Sequence, residues 1–274
     1  GYQNSTVGEE TKTVKNSDLT YTELNGYTSN FLNETLTTST NISYPVFKAN
    51  TYAYNIISVG DAFLLSQKIK DADMYGLSNV DSHLEKNSEW GAVAYLTQSQ
   101  YGVNGNSTNM NEVTMNTKNL SNSIYVNNAS SGTKANIYAV TSYGISNTAN
   151  DVTASSTKNM TGVFDLNGCV WERVAGYYKG GAASAPNWHN SMASSSTTES
   201  SKYLTLYTTN NKKGDATNET AGWNSDYSYF VSSGYPVFGR GGHYGNGTSA
   251  GVFAYYNSLG NPSSSSGFRV CLAF

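Results

Sequence analysis

Charged residues are scarce in this 274-residue chain: they make up 13% of it, against about 25% in a typical globular domain. The net charge is −3 and the lysines and arginines form no basic stripe, so we predict that the protein does not bind nucleic acid. No run of 18 apolar residues occurs, so we predict no membrane insertion. Asn, Ser, Thr and Tyr supply most of the polarity, which indicates a virion surface or an extracellular or cell surface.

Cysteine occurs only at Cys169 and Cys271. The two residues could form one disulfide or remain two buried thiols, and their spacing does not decide between these alternatives. Each interrupts an apolar, strand-like run, and free cysteine is among the most buried residue types. We therefore expect both to be buried and neither to be catalytic.

Catalytic and metal-binding motifs are also missing from the sequence. His83, His189 and His243 do not have the spacing of metal ligands. No G-x-S-x-G, P-loop or dinucleotide-binding fingerprint occurs. We predict no catalytic residue, no metal site and no cofactor, with an oxygen-ligated structural Ca²⁺ in the long loops as the open alternative.

Tyrosine, in contrast, is abundant, with 22 residues. Disordered chains lack aromatic residues, so this content predicts a folded protein. Tyr, Ser, Gly and Asn are also the residues that antibody paratopes favour, because Tyr gives large contact area at low entropic cost. The composition thus favours a protein that binds a macromolecule.

Two helices are predicted. Ala62 and Ile69 belong to an apolar pattern at helical spacing that Gly76 ends. The second helix is expected to begin near Ser82, because Ser82 and Glu85 match a capping box. One face of this second helix is formed by Trp90, Val93, Ala94 and Thr97.

The remaining chain is predicted to consist of short strands and long loops, which gives an α+β fold. Residues 1–45 form a polar N-terminal segment, and whether it belongs to the same domain stays open. The chain begins without an initiator Met or a signal-peptide pattern, so we expect a processed or trimmed chain. The last residues are predicted to form one buried strand whose inner face consists of Phe268, Val270, Leu272 and Phe274.

Four motifs occur in a fixed order: "EWGAVAYLTQSQYG" at 89–102, "TGVFDLNGCVWERV" at 161–174, "GRGGHYGN" at 239–246 and "GFRVCLAF" at 267–274. Together they resemble the formylglycine-generating-enzyme-like (sulfatase-modifying factor) branch of the C-type lectin fold. Within that branch they look most like the variable proteins of diversity-generating retroelements. Cys169 and Arg173 depart from the family pattern, which has a small residue and an aromatic residue there.

The resemblance covers residues 46–274 and implies a C-type lectin-like domain. The similar proteins include phage tail-fibre tropism determinants and bacterial surface adhesins. The resemblance therefore implies a non-enzymatic display protein that binds a cell-surface protein or glycan. A homotrimer is the oligomer that the tail-fibre relatives suggest.

Residues 241–268 are the segment that the resemblance marks as variable. Adenine-specific mutagenesis of Asn codons cannot produce Lys, Glu, Gln, Met or Trp, and this segment contains none of them. An ordinary loop rich in Gly, Ser and Tyr would also exclude them, so both interpretations stay open. We assign ligand contact to His243, Tyr244, Asn246, Thr248, Ser249, Phe253, Tyr255, Tyr256, Asn257, Ser258, Leu259, Asn261 and Ser263. The scaffold residues that should not touch ligand are Gly241, Gly242, Gly267, Phe268 and Arg269.

Trp171 is a large apolar residue next to the charged Glu172, which indicates a buried structural site. A buried carboxylate needs a partner, because an unpaired one costs several kcal/mol. We expect Arg240 or Arg269 to pair with Glu172, the alternative being that Glu172 is solvated. One core is expected to bury together Trp90, Phe164, Trp171 and Phe268.

Two other classes of function remain open. Active relatives of the sulfatase-modifying type carry a pair of cysteines after the Arg-Gly-Gly motif, and residues 243–266 contain no cysteine. This argues against a formylglycine-generating oxidase. A structural subunit of a virion or surface layer is the third class, which extensive self-contacts by the tyrosines of the segment would favour.

Overall fold

The computed structural model describes residues 57–71, 75–77, 79–102, 155–157, 161–164, 166, 168, 170–180, 202–243, 246, 249–263 and 265–273. These residues form an α+β structure with two helices and seven strands. In chain order the elements are α1 (Val59–Lys68), β1 (Asp81–Leu84), α2 (Asn87–Gln98), β2 (Trp171–Tyr178), β3 (Thr205–Tyr207), β4 (Val237–Arg240), β5 (Tyr255–Ser258), β6 (Ser266–Phe268) and β7 (Val270–Ala273). The predicted N-terminal segment 1–45, Cys169, His189 and Phe274 lie outside the described residues. Neither described helix combines the length and apolar character needed to cross a membrane.

The first predicted helix is confirmed as α1, but it ends at Lys68, well before Gly76. Ser58 caps its N-terminus: the Ser58 Oγ accepts the backbone N–H of Asp61 at 3.1 Å. The apolar face of α1 is buried, including Ala62. The spacing of apolar residues therefore predicted this helix, while its C-terminal boundary depends on a tertiary contact.

The predicted capping box at Ser82 and Glu85 is wrong. Ser82 lies in β1, where its Oγ accepts the N–H of Lys70 at 2.9 Å and donates to the Gln67 carbonyl at 3.3 Å. Ser82 thus caps the C-terminal end of α1. The helix that follows begins at Asn87, and the Glu89 carboxylate accepts the N–H at its N-terminus, from Lys86, at 2.8 Å.

Strand β2 organises the larger sheet, which has the order β3-β2-β4-β5. Strand β6 pairs in parallel with the first residues of β2, and β3 pairs in parallel with the last, so both lie along one edge of it. Strand β4 pairs antiparallel with the other edge, and β5 pairs antiparallel with β4. The sheet therefore places β6, at the end of the C-terminal segment 241–268, against β2, whose first seven residues are buried.

The predicted single C-terminal strand is divided at Arg269. Strand β6 ends at Phe268, and β7 leaves the large sheet to pair antiparallel with β1. Its residues from Val270 to Leu272 are only partly buried and Ala273 is exposed. The expectation of one buried terminal strand is wrong, because β7 forms the partly exposed half of a two-stranded sheet.

Two cores form instead of one. The first gathers α1 with residues such as Ala175 and Phe268. The second gathers α2 with residues such as Val174, and it includes Trp90. Val174 and Ala175 are consecutive in β2, and successive side chains of a strand point to opposite faces. All four residues expected in one core are buried, but Trp90 and Phe268 lie in different cores.

All three arginines of the chain are buried. Arg269 is the partner of Glu172: its Nη2 donates to Glu172 Oε1 at 2.7 Å and its Nε donates to Oε2 at 2.8 Å. Arg240 instead lies between two aromatic rings, with its guanidinium carbon 5.7 Å from the Trp90 ring centre and 5.6 Å from that of Tyr255. The prediction that one arginine pairs with Glu172 is confirmed for Arg269.

Glu85 is a second buried carboxyl beside Arg269, with 3.6 Å between Glu85 Oε2 and Arg269 Nε. Burial outweighs the attraction of Arg269 and raises the pKa of Glu85 from 4.5 to about 8. The folded protein therefore keeps a proton that the unfolded chain loses above pH 4.5. The stability that this group contributes is complete below that pH and is lost as the pH rises to about 8.

Replacing Glu85 with Gln is expected to flatten the decline of stability with rising pH, because Gln keeps the shape and has no proton to lose. The measurement is the melting temperature of wild type and variant between about pH 5 and pH 8. Asp71→Asn, at an exposed carboxyl, is the control and should keep the wild-type profile. Identical profiles for wild type and Glu85→Gln would show that Glu85 does not titrate in this range.

Candidate functional site

The candidate site lies at the β5 edge of the large sheet. Residues 227–231 run beside β5: the N–H of Tyr229 donates to the Tyr255 carbonyl at 3.0 Å, and the N–H of Tyr255 donates to the Tyr227 carbonyl at 2.8 Å. The Asn257 side chain donates to the Phe230 carbonyl at 2.8 Å. The predicted binding segment and residues 227–231 therefore form one continuous surface.

Arg173 holds this surface from beneath. From β2 its Nη1 donates to the Tyr256 hydroxyl at 3.2 Å and to the Ser258 hydroxyl at 2.8 Å. Its Nη2 donates to the Asn261 carbonyl at 2.6 Å. A single buried guanidinium thus fixes β5 and the following loop.

Five rings form an aromatic cluster above this guanidinium: Trp171, Tyr227, Tyr229, His243 and Tyr256. The Trp171 ring centre lies 4.4 Å from that of Tyr256, 5.9 Å from Tyr227 and 6.2 Å from His243. Tyr229 stacks on Tyr227, with 4.7 Å between ring centres. Trp171 is buried, whereas Tyr227 is 39% exposed and Tyr229 is 56% exposed. The cluster therefore extends from the buried indole of Trp171 to the solvent-facing phenol rings of Tyr227 and Tyr229.

Burial and neighbouring groups shift the pKa values of two rings of the cluster. Burial lowers the pKa of His243 to about 4, so its imidazole is neutral. Burial alone would raise the pKa of Tyr256, but the Arg173 charge and hydrogen bonds from Ser266, Ser258 and Arg173 bring it below its usual value. The exposed part of the cluster therefore offers ring faces and hydroxyl groups, which suit a neutral polar ligand or an apolar one.

The predicted ligand residues divide by burial. Phe253 and Tyr255 are buried members of the second core, so no ligand reaches their side chains, and their assignment to ligand contact is corrected. Asn261 is exposed. Tyr244 and Thr248 lie outside the described residues. The partly exposed residues of the set are His243, Asn246, Ser249, Tyr256, Asn257, Ser258, Leu259 and Ser263.

The scaffold residues lie at the two ends of the segment, and their lack of ligand contact stays a prediction. Gly241 and Gly242 have φ of +83° and +79°, in the left-handed region that favours glycine. A Cβ on Gly241 would lie 2.5 Å from the Leu166 carbonyl oxygen, and one on Gly242 would lie 2.6 Å from Ala250. Gly267, Phe268 and Arg269 are buried, away from the exposed rings. These residues fix the start and the end of the segment.

Tyr227 and Tyr229, two exposed tyrosines of this surface, were not predicted as ligand contacts from the sequence. Both precede the segment that the resemblance marks as variable. The alternation in "DYSYF" was the available signal, since residues two apart share a face of an extended chain. Trp223, 41% exposed, contacts Phe253 edge-on with 5.3 Å between ring centres, so it borders the same region.

Cys271 does not resemble a catalytic nucleophile. It is a free thiol and is only partly buried, so the expectation of complete burial is wrong. Burial and the carboxylates of Glu85 and Glu89 raise the pKa of the Cys271 thiol. The thiolate is the reactive form of cysteine, so a protonated Cys271 is inert as a nucleophile at neutral pH.

Comparison with known proteins adds no family. No protein-family model matches the chain, and no curated protein matches it. The function is therefore argued from the geometry of the aromatic cluster and its support.

Proposed function

We propose that this protein is a non-enzymatic display protein of C-type lectin fold that binds a cell-surface protein or glycan. Its binding surface consists of the exposed parts of the aromatic cluster together with the partly exposed residues of segment 241–268. Attachment of a phage tail to its host is the favoured setting, and adhesion of a bacterial surface is the second. The protein works at a virion surface or a cell surface.

The observation that supports the proposal is the contrast between two buried side chains that support the surface and two tyrosine rings that face solvent. Trp171 and Arg173 are buried in the chain's central strand, while Tyr227 and Tyr229 reach solvent from a neighbouring segment. Interface hot spots are enriched in Tyr and Trp, and binding residues placed on a rigid scaffold lose little entropy when the complex forms. Such a surface suits recognition rather than bond chemistry.

The elements support the proposed fold. The four motifs of the resemblance fall on α2, on β2 and the residues before it, on β4 with the Gly241–Gly242 turn, and on β6 with β7. The α+β class, the short strands and the buried Glu172–Arg269 pair are compatible with a C-type lectin domain. Fold alone does not assign function, so the binding proposal depends on the surface itself.

The enzymatic alternative has less support. The segment after Gly242 lacks the pair of cysteines that the resembled oxidases carry. Cys271, the thiol in the described part of the chain, lies on β7. It is outside residues 243–266, where those oxidases carry their cysteine pair. The third alternative, a structural subunit, would bury Tyr227 and Tyr229 between copies of the chain.

The proposal is tested by measuring whether the full chain binds intact bacterial cells and immobilised glycans. We expect saturable binding, and a homotrimer would strengthen it through avidity. In the genomic neighbourhood we expect a reverse-transcriptase gene and a near-copy of the 3′ coding sequence, with differences at adenines confined to codons 241–268. Sequence differences spread evenly over related copies would contradict diversification, and burial of Tyr229 in a stable homo-oligomer would favour the structural subunit.

A further inference from the structure

Three metal-ligand side chains converge at the two-stranded sheet. His83 of β1 and Cys271 of β7 are direct partners in the antiparallel register. Glu89, in the first turn of α2, places its Oε1 3.0 Å from the Nε2 of His83. One ligand atom from each of the three residues lies within 4.8 Å of the other two. No metal site was predicted from the sequence, because the histidines lack the spacing of metal ligands; Cys271 reaches His83 only through the pairing of β1 with β7.

We propose that His83, Glu89 and Cys271 bind a zinc ion. Thiolate, imidazole and carboxylate are the three side-chain ligands that zinc takes, at bond lengths of about 2.0–2.3 Å. Tetrahedral bonds of that length place ligand atoms about 3.3–3.6 Å apart. The His83 Nε2 and Glu89 Oε1 atoms, 3.0 Å apart, would have to separate by about 0.3 Å. The distances to the Cys271 sulfur, at most 4.8 Å, would have to shorten by about 1.2 Å or less, which side-chain rotation can supply.

Asp81 supports the proposal from behind the histidine. Its Oδ2 lies 3.6 Å from the Nδ1 of His83, on the side of the ring away from Glu89. Lys202 and Tyr203 hold the Asp81 carboxylate, at 3.1 Å and 3.2 Å. Metal-binding histidines usually direct their second ring nitrogen at a carboxylate, which fixes the tautomer and makes the first nitrogen a better ligand. Asp81 is thus a positioning residue rather than a ligand.

The Glu89 carboxylate offers its Oε1 as the ligand atom. Its Oε2 accepts the N–H of Lys86 at the start of α2, and Oε1 is the atom nearest to His83 Nε2. The side chain of His83 is 7% exposed and that of Glu89 is 35% exposed, so the site opens to solvent on one side. A water molecule would complete four ligands there.

Zinc binding would add a cross-link between three elements that already contact one another, since β1 pairs with β7 and His83 of β1 contacts Glu89 of α2. The ion forms a bond to the Cys271 sulfur and releases the thiol proton to solvent, with no oxidation or reduction. It would tie β7, the strand that follows the binding segment, to β1 and to α2. Because the ion binds the folded chain, it should raise stability with the logarithm of its free concentration above Kd.

The test titrates the full chain, first treated with a chelator, with Zn²⁺ alone by calorimetry. We expect one ion per chain and a melting temperature that rises by about 5–10 °C when free Zn²⁺ exceeds Kd a hundredfold. Cys271→Ser and Glu89→Gln should each weaken binding about 100-fold or more, and Asp81→Asn should weaken it about 10–100-fold. Asp71→Asn removes an exposed carboxylate elsewhere and should leave the affinity unchanged.

A spectrum of the Co²⁺-substituted wild type keeps the test independent of how the variants fold. We expect tetrahedral d–d bands together with a thiolate-to-cobalt charge-transfer band. Absence of Zn²⁺ binding, absence of the charge-transfer band, or wild-type affinity in folded Cys271→Ser would each overturn the proposal. None of these results bears on ligand binding by the aromatic cluster, so the two proposals fail separately.

Discussion

Arg269→Met is expected to lower the free energy of unfolding by about 3–5 kcal/mol, because it leaves a buried carboxylate without its cation. Arg269 donates two hydrogen bonds to Glu172 at 2.7 Å and 2.8 Å and a third to the Phe164 carbonyl at 2.9 Å. Glu85 stands beside the same guanidinium. The substitution would leave the Glu172 carboxylate inside the protein without its cation, and urea unfolding at neutral pH measures the loss.

The loss should shrink as the pH falls. Burial already raises the pKa of Glu172 against the attraction of Arg269. Without Arg269 both carboxyls are expected to take up protons at a higher pH, which neutralises them and removes the penalty. The double variant Glu172→Gln, Arg269→Met should recover part of the stability at neutral pH for the same reason.

Lys68→Met is the matched control, since Lys68 forms an exposed ion pair with Asp71 at 3.2 Å. Exposed pairs contribute about 0–1 kcal/mol, so this variant should stay close to wild type. Equal effects of the two substitutions, or a loss below about 1 kcal/mol for Arg269→Met, would show that the buried pair does not organise the fold.

The sequence predicted the parts of the fold that depend on local pattern. The helical spacing around Ala62 gave α1, and the face that includes Trp90 gave α2. The pairing of Glu172 with an arginine was predictable because a buried charge requires a partner of opposite charge. These features depend on neighbouring residues or on the chemistry of a single group.

Features that depend on long-range pairing could not be predicted. Ser82 and Glu85 match a capping box, but the pairing of β1 with β7 places Ser82 in a strand instead. The same pairing brings Cys271 to His83, far from it in sequence. Local pattern carries no information about which distant strand will supply the partner.

Residue composition also could not distinguish the proposed binding surface from the core. Tyr255 and Tyr256 are adjacent in β5, and alternation buries the first while leaving the second partly exposed. Replacing Tyr244, Tyr255 and Tyr256 together would therefore remove a core ring along with surface ones. Loss of folding in that variant would report on Tyr255 and would say nothing about ligand binding.

Replacing Tyr227 and Tyr229 with Ala together is expected to reduce binding of the attached cell or glycan about 30-fold or more. One tyrosine hot spot contributes about 2 kcal/mol or more to an interface, which is about 30-fold in Kd, and both rings face solvent in the free protein. The folded structure should persist, because exposed substitutions usually change stability by about 0.5 kcal/mol and these rings are half-exposed. Trp171 and Arg173 remain in place beneath them.

The most direct test is a side-by-side measurement of binding and melting temperature for wild type, the double variant and Tyr101→Ala. Tyr101 is 72% exposed beyond the end of α2, so it controls for the loss of a surface tyrosine as such. The aromatic cluster as the binding surface predicts that binding falls only in the double variant while all three melting temperatures stay close. Wild-type binding by a folded Tyr227→Ala, Tyr229→Ala protein would contradict it.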